Sequence, residues 1–520
     1  SGAGPSMPTG EFTNPIAEGA DPCVVRDGNR YLWCQSEGNV AVSIWVSDRL
    51  TSLGTRHVVW TAPAEGPCSK QVWAPELIRV GDHWYIYFAA SDGDGKNHQA
   101  YVLVADSDDP LGGYTLEGPL WTADGDVGAA ADNVYAIDMT VLEHSGRHYA
   151  VWSGWPDRTR QVQHLYIRAM SSPVGLTGPR VQICAPDDYL WERIDETAAS
   201  DGLNEGPQVL SRGGRTFLVY SCSASYFPTY KLGLLELTGD PMDAAGWRKH
   251  PEPVFRSTED CFGVGHDGFV RSLDGKEWWH VFHAKLDRRP GWRRAIWVQP
   301  LTWTADDFPL FGQPASRGIP LPVPSATPRH EITDARDYRF TDAATGAADF
   351  DYYGHHQFLD PRPDGVHLGV VPAHPVNDYR SGEKLLLRDG CYRDVRVVAQ
   401  FAYVDGRRDV GVLFRASGAA LGFDGQHGYF AALSPRRSRL LLGKMDGFGW
   451  VELASAPYDV DRAGRQQLVI EARGSRIVVA IPGSLARLSV TDDDHPTGTV
   501  GLRVVDTHAR FERLRIEPFG

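Results

Sequence analysis

The sequence predicts an all-β chain of two domains, a five-bladed β-propeller followed by an antiparallel β-sandwich. One hairpin plan recurs five times over the first three hundred residues: an acidic or polar lead, an apolar strand, a glycine turn and an aromatic-rich strand. The 55 glycines and 35 prolines suit a turn-rich chain, and residues 333–520 show no convincing helical period. A proline-rich break then separates this region from a stretch of short alternating strands of different character.

The five copies run Asp21–Trp33, Ala74–Phe88, Asp138–Trp152, Leu203–Ser221 and His266–Val281. Their turn glycines, Gly28, Gly81, Gly146, Gly214 and Gly275, lie 53 to 68 residues apart. A period of that size with hairpins inside each unit is the mark of propeller blades, one four-stranded sheet per repeat. Arg294–Trp303 reads as a late strand that finishes the last blade or closes the ring on the first. The loop Ser91–Asn97 looks like a calcium loop but lacks a glutamate at the twelfth position and flanking helices, so it reads as a turn.

Residues 7–312 form the expected propeller, 313–332 the linker and 333–520 the sandwich. Gly312–Pro328 carries five prolines, as a semi-rigid spacer would. Strands are expected at 394–404, 410–415, 428–433, 440–444, 467–472, 477–481, 498–504 and 511–516. The sandwich shows no catalytic constellation, and Tyr352, Tyr353, His355, His356 and Phe358 form its one dense aromatic cluster. Residues 1–6 resemble a cloning scar before Met7, which favours a cytoplasmic chain over a secreted one whose leader was trimmed.

A net charge of −14 argues against nucleic acid or an anionic membrane as partner, and no apolar run is long enough to span a bilayer. Seven cysteines without a close pair give neither a zinc pattern nor a disulfide framework, and Cys23, Cys34 and Cys222 read as buried thiols.

In a propeller the starts of the innermost strands converge on one mouth of the central channel. Asp21, Asp138 and Glu205 lead three of the copies, 7, 8 and 9 residues before their turn glycines. Three carboxylates around one pocket repel each other and lose solvent, which spreads their pKa values and leaves a base and an acid side by side. Glycoside hydrolysis needs such a pair. Glu76 and Asp267 sit near equivalent places, so carboxylates there are partly a habit of the fold.

The motifs Gly19-Ala-Asp-Pro22, Trp73-Ala-Pro-Glu76, Ala136-Ile-Asp138, Trp152-Ser-Gly-Trp155, Asn204-Glu-Gly-Pro207 and Gly265-His-Asp267 together resemble the propeller of glycoside hydrolase family 43. The resemblance covers the whole first domain. It implies Asp21 as general base, Glu205 as general acid and Asp138 as the residue that orients the acid and adjusts its pKa. It further implies substrate contacts from Trp73, Arg294 and Trp155, no required cofactor, and allows a structural Ca2+ in the channel at His266. Where the family has Asn or Ser after that histidine, this chain has Asp267, which would strengthen a cation site.

Within the family, the Trp73–Glu76 and Trp152–Trp155 motifs and the Asp187–Gly202 insert resemble inverting exo-acting α-L-arabinofuranosidases that trim arabinan or arabinoxylan in hemicellulose degradation. β-Xylosidases, including bifunctional ones, share the fold and the triad and form the alternative. A fructan hydrolase is disfavoured because its Trp-Met-Asn-Asp-Pro-Asn and Arg-Asp-Pro motifs are missing. A carbohydrate-binding propeller without activity is disfavoured because Asp21 and Glu205 are both retained. The appended domain resembles concanavalin-like or laminin-G-like sandwiches, and either binds carbohydrate or braces the propeller.

Overall fold

The computed structural model describes residues 10–341, 347–375 and 380–519, so the expected scar and Met7 lie outside the described residues. The chain divides into two compact units. One comprises Gly19–Val46 and Arg56–Ser316; the other takes the segment up to Glu18, the excursion Ser47–Thr55 and everything from Arg317 onward.

The first unit is the five-bladed propeller. Its blades begin with the inner strands Cys23–Asp27, Lys70–Val80, Ala136–His144, Asn204–Arg212 and Gly265–Arg271. Each pairs antiparallel with the next strand across a tight turn. The five turn glycines all have φ between 59° and 80°. A Cβ on Gly28, Gly81, Gly146 or Gly214 would meet nothing within 4 Å, so the left-handed backbone, not crowding, requires glycine there. Arg294–Trp303 is the third strand of the last blade, and its Arg294 carbonyl accepts from Gly19 N at 3.1 Å, which closes the ring. The Ser91–Asn97 loop folds as a turn, with Asp92 accepting from Asp94 N and Asn97 Nδ2.

The core lies between consecutive blades rather than inside any one of them. Leu32, Cys34, Val42 and Ile44 of the first blade pack with Leu77, Ile86 and Phe88 of the second. Tyr87 and Val102 of the second pack with Met139 and Trp152 of the third, and Leu142 and Ile167 of the third with Leu218 and Leu235 of the fourth. A second strand such as His83–Ser91 is therefore buried at every residue after His83, because both faces of the blade are covered. Deleting one of the fully buried indoles, such as Trp152, would cost about 3–5 kcal/mol.

The second unit is a sandwich of two antiparallel sheets. One is built around Val395–Asp405 and His508–Pro518, and the other around Val410–Ser417, His427–Ser434 and Thr499–Val504. The excursion carrying Arg49 belongs to this unit because both its terminal nitrogens bond Asp389, at 3.0 Å each. Tyr352, His355, His356 and Phe358 are all buried, so that cluster presents no exposed row of aromatics. All seven cysteines are free, and six are buried. Among the described residues no helix is long and apolar enough to cross a membrane.

Candidate active site

Four inner strands start with a break in register, at Trp73/Glu76, Ile137/Thr140, Glu205/Gln208 and Gly265/Gly268. Each break holds one left-handed residue: Ala74 (φ 47°), Asp138 (58°), Gly206 (55°) and His266 (45°). Asp21 (51°) takes the same conformation just ahead of the first inner strand. Such bulges re-aim a side chain out of the sheet, and a non-glycine residue held there stores roughly 1–3 kcal/mol of strain. Asp21, Asp138 and His266 are thus equivalent positions in three blades. Glu205 is not: it stands one residue earlier, because Gly206 occupies the left-handed place. A Cβ on Gly206 would lie 3.1 Å from Ser221 Oγ and 3.3 Å from His266 Nδ1.

The three sequence-predicted carboxylates meet around His266. Asp21 Oδ1 lies 3.2 Å from His266 Nδ1, 3.4 Å from His283 Nδ1 and 3.7 Å from Arg294 Nη1. Gly206 N donates to Asp138 Oδ2 at 3.0 Å, tying Asp138 to the backbone beside Glu205. His266 N donates to Ser221 Oγ at 2.7 Å, which fixes the bulge that carries the ring.

Burial and charge split these carboxyls into two protonation states. Burial alone would raise Asp21, but the charges of His266 and then Arg294 outweigh it and hold the carboxyl well below the usual carboxylate range. Burial, then the Asp138 charge, pushes Glu205 up to about 8, against the pull of His266. Asp138 is raised too, by burial and by Asp21, with His266 and the Gly206 N–H opposing. His266 is driven up to about 9: burial opposes, but Asp21, Asp138, Glu76 and Glu205 favour its cation. Near neutral pH the site therefore holds an ionised Asp21 against an imidazolium, with Glu205 protonated.

His283 and Glu76 complete the cluster, and the pattern reading had given neither a role. His283 Nδ1 accepts the Asp21 backbone N–H at 3.0 Å, and burial pushes this histidine down to about 4. It is a neutral ring with its proton on Nε2. Its place on the second strand, directly opposite Gly265, is the only signal that could have found it. Tyr230 stacks on it with ring centroids 5.5 Å apart. Glu76 is buried, accepts from Gln208 Nε2 and is pushed up to about 8, chiefly by burial.

Asp267 faces a histidine ring. Its Oδ2 lies 2.7 Å from His280 Nε2, both side chains are fully buried, and Phe255, Phe269 and Phe311 pack around the His280 ring. His266, where the resemblance allows a calcium ion, lies with its Nδ1 3.2 Å from Asp21 Oδ1. Among the described residues no group of three or more His, Cys, Asp and Glu side chains is disposed to hold a metal ion.

The predicted aromatic contacts form one ladder. Trp73 stacks on His98 at 3.8 Å, His98 meets Tyr135 edge-on at 5.8 Å, and Tyr135 stacks on Trp155 at 4.4 Å. Trp73 keeps part of its surface open and can wall a sugar. Trp155 is buried flat against Tyr135 and is the ladder's inner rung rather than an open platform. Arg294 is buried, with its guanidinium between Asp21 and the Trp292 ring, 5.1 Å from that ring's centroid. The insert before Glu205 is anchored by the fully buried Glu192, which accepts from Lys249 Nζ at 2.8 Å, Tyr220 OH at 2.9 Å and Asn204 Nδ2 at 3.2 Å. Asn204 precedes Glu205, so this network fixes the backbone that carries the raised carboxyl.

Residues 12–309 match the model of glycosyl hydrolases family 43. The chain is 31% identical over 331 residues to an extracellular exo-alpha-(1->5)-L-arabinofuranosidase of Streptomyces avermitilis, covering 61% of this chain and 66%, a little under two thirds, of that relative. The crystal structure of an alpha-L-arabinofuranosidase from Lactobacillus brevis superposes with a TM-score of 0.53 at 28% identity, over 59% of this chain and 98% of that one. A xylan beta-1,4-xylosidase from Bacillus halodurans, 16% identical, shares the fold over 97% of this chain and 100% of its own, with a TM-score of 0.51. With the propeller, the carboxylate cluster and a family match over more than half its length, this chain belongs to glycosyl hydrolases family 43, inverting glycoside hydrolases that act on carbohydrate.

Proposed function

We propose that this chain is an exo-acting α-L-arabinofuranosidase that releases terminal arabinofuranose from arabinan- or arabinoxylan-type oligosaccharides with inversion. The observation that carries the reading is the split in protonation: Asp21 ionised and Glu205 protonated in one cluster. Asp21 keeps 27% of its side-chain surface open, which leaves room for a water beside it. As general base it takes a proton from that water, whose oxygen bonds to the anomeric carbon on the face opposite the leaving group. Glu205, as general acid, gives its proton to the glycosidic oxygen as the C–O bond breaks. Asp138, held by the Gly206 N–H, orients Glu205 and keeps its proton on through its own charge. An inverting pair of this kind stands roughly 6.5–9.5 Å apart to admit the water.

Arabinofuranose as the glycone rests on the names of the 31%- and 28%-identical relatives. The first of them is named extracellular, which supports secretion of this chain in place of the cytoplasmic location expected from its opening residues. The mechanism needs no cofactor, because the two carboxyls supply both proton transfers.

Initial rates on 4-nitrophenyl α-L-arabinofuranoside and 4-nitrophenyl β-D-xylopyranoside, followed across pH, test the reading. Arabinofuranoside turnover should dominate; xylopyranoside dominance would replace the substrate with that of a β-xylosidase. kcat/KM should fall as pH rises through about 8, where Glu205 loses its proton. Because Asp21 is held low, no acid limb should appear above about pH 4. Glu205→Gln should abolish the alkaline limb; a limb that survives in that variant belongs to another group.

A further inference from the structure

Trp292 is an exposed indole on an otherwise fixed loop. It keeps 52% of its surface in solvent, while Arg294 beneath it is 7% exposed. One exposed indole is ordinary on a protein surface, but this one is backed by a second ring and stands beside the reacting centre, as a stacking surface would. The loop is not floppy. Leu286 N donates to Arg293 O at 2.9 Å, Gly291 N to Tyr226 O at 2.8 Å, Lys285 Nζ to Gly291 O at 2.6 Å and Arg294 Nε to Trp292 O at 3.4 Å. The Trp292 ring also rests on Tyr226, centroids 5.0 Å apart, and Tyr226 rests on Phe227 at 5.0 Å.

One guanidinium joins this indole to the reacting centre. Arg294 lies 3.7 Å from Asp21 Oδ1 at one end and under the Trp292 ring at the other. The two ends differ in exposure: Asp21 is partly open and Trp292 half-open, with the buried Arg294 between them. In a pocket that takes a chain end, the floor holds the terminal sugar and the rim meets the sugar it was attached to. We propose that Trp292, backed by Tyr226, is the platform on which the sugar on the leaving-group side of the scissile bond stacks, and that it sets the preference for oligosaccharides over simple glycosides. The ligand is a sugar ring presenting an apolar C–H face; a fixed indole meets it without ordering a side chain on binding. The inference rests on the proposed function for the identity of that sugar.

The test is a ratio, kcat/KM on α-1,5-linked arabinotriose over kcat/KM on methyl α-L-arabinofuranoside, measured on the full chain. Trp292→Ala should lower the ratio by about tenfold, and Trp292→Phe should restore most of it. An unchanged ratio in Trp292→Ala overturns the proposal. So does an equal fall on both substrates, which would make Trp292 a structural support for Arg294. Wild-type protein inert on both arabinofuranosides would count against the proposed function instead; the same ratio is then read on xylotriose over methyl β-D-xylopyranoside, where no fall in Trp292→Ala overturns the platform itself.

Discussion

Asp21→Asn should lower kcat by about 10 000-fold on every substrate, whatever its leaving group, while the protein stays folded. Asparagine keeps the shape and tolerates the left-handed backbone at this position, φ 51°, so the variant removes charge without forcing the bulge to move. No neighbour can take over as base. His266 loses the charge of Asp21, but Asp138 still favours its cation, which has no lone pair with which to take a proton. The His283 Nδ1 lone pair is engaged by the Asp21 backbone N–H. Glu76 and Glu205 hold their protons up to about 8. Steady-state rates on an aryl arabinofuranoside and on arabinotriose, with a thermal melt to show folding, check this; a loss of tenfold or less would mean that another group activates the water.

Glu205→Ala should divide substrates by their leaving groups. An alcohol leaving as part of a sugar needs a proton in the transition state, so hydrolysis of arabinotriose should fall by about 1 000-fold. A nitrophenolate leaves without one, so kcat on the 4-nitrophenyl glycoside should fall far less. Equal losses on both would show that Glu205 is not the acid. Above about pH 8, where Glu205 would be ionised, the substitution should also weaken the drive that keeps His266 charged, since Glu205 is among the charges that raise it. With the titrating acid gone, the variant's remaining activity should lose its alkaline limb near pH 8.

The propeller was legible because its constraints are local. Gly28, Gly81, Gly146, Gly214 and Gly275 each answer a turn that only a positive φ can make. In the sandwich, all eight expected strands form: Arg465–Arg473 and Arg476–Ala480 alternate covered and open residues, whereas Val410–Ser417 and His427–Ser434 are short apolar runs buried almost throughout. The strand Lys384–Leu387 escaped that reading. It opens with a lysine that is nonetheless fully buried, its ammonium bonded to the carbonyls of Ala420 and Gly422 at 2.9 and 3.0 Å. The affiliation of Ser47–Thr55 with the sandwich unit was likewise hidden, since it hangs on Arg49 finding Asp389 some 340 positions away.

At the site, the recurring lead residues placed Asp21 and Asp138 at equivalent bulges. The spacing of Glu205, one residue longer than that of Asp138, was the trace of Gly206 taking the bulge instead. His283 left no such trace, because it comes from a second strand and reaches Asp21 only through pairing opposite Gly265. Nor do spacings say which carboxyl keeps its proton. That depends on how burial, three carboxylates and one imidazolium add up at each oxygen.

The most direct test of the account is proton NMR of the first sugar released from α-1,5-arabinotriose by wild-type protein, with Asp21→Asn as the blank. An ionised Asp21 that directs water to the face opposite a Glu205-protonated leaving group predicts arabinofuranose appearing first as the β-anomer, and no release by the variant. The α-anomer appearing first, or release by Asp21→Asn at a rate near wild type, would contradict it.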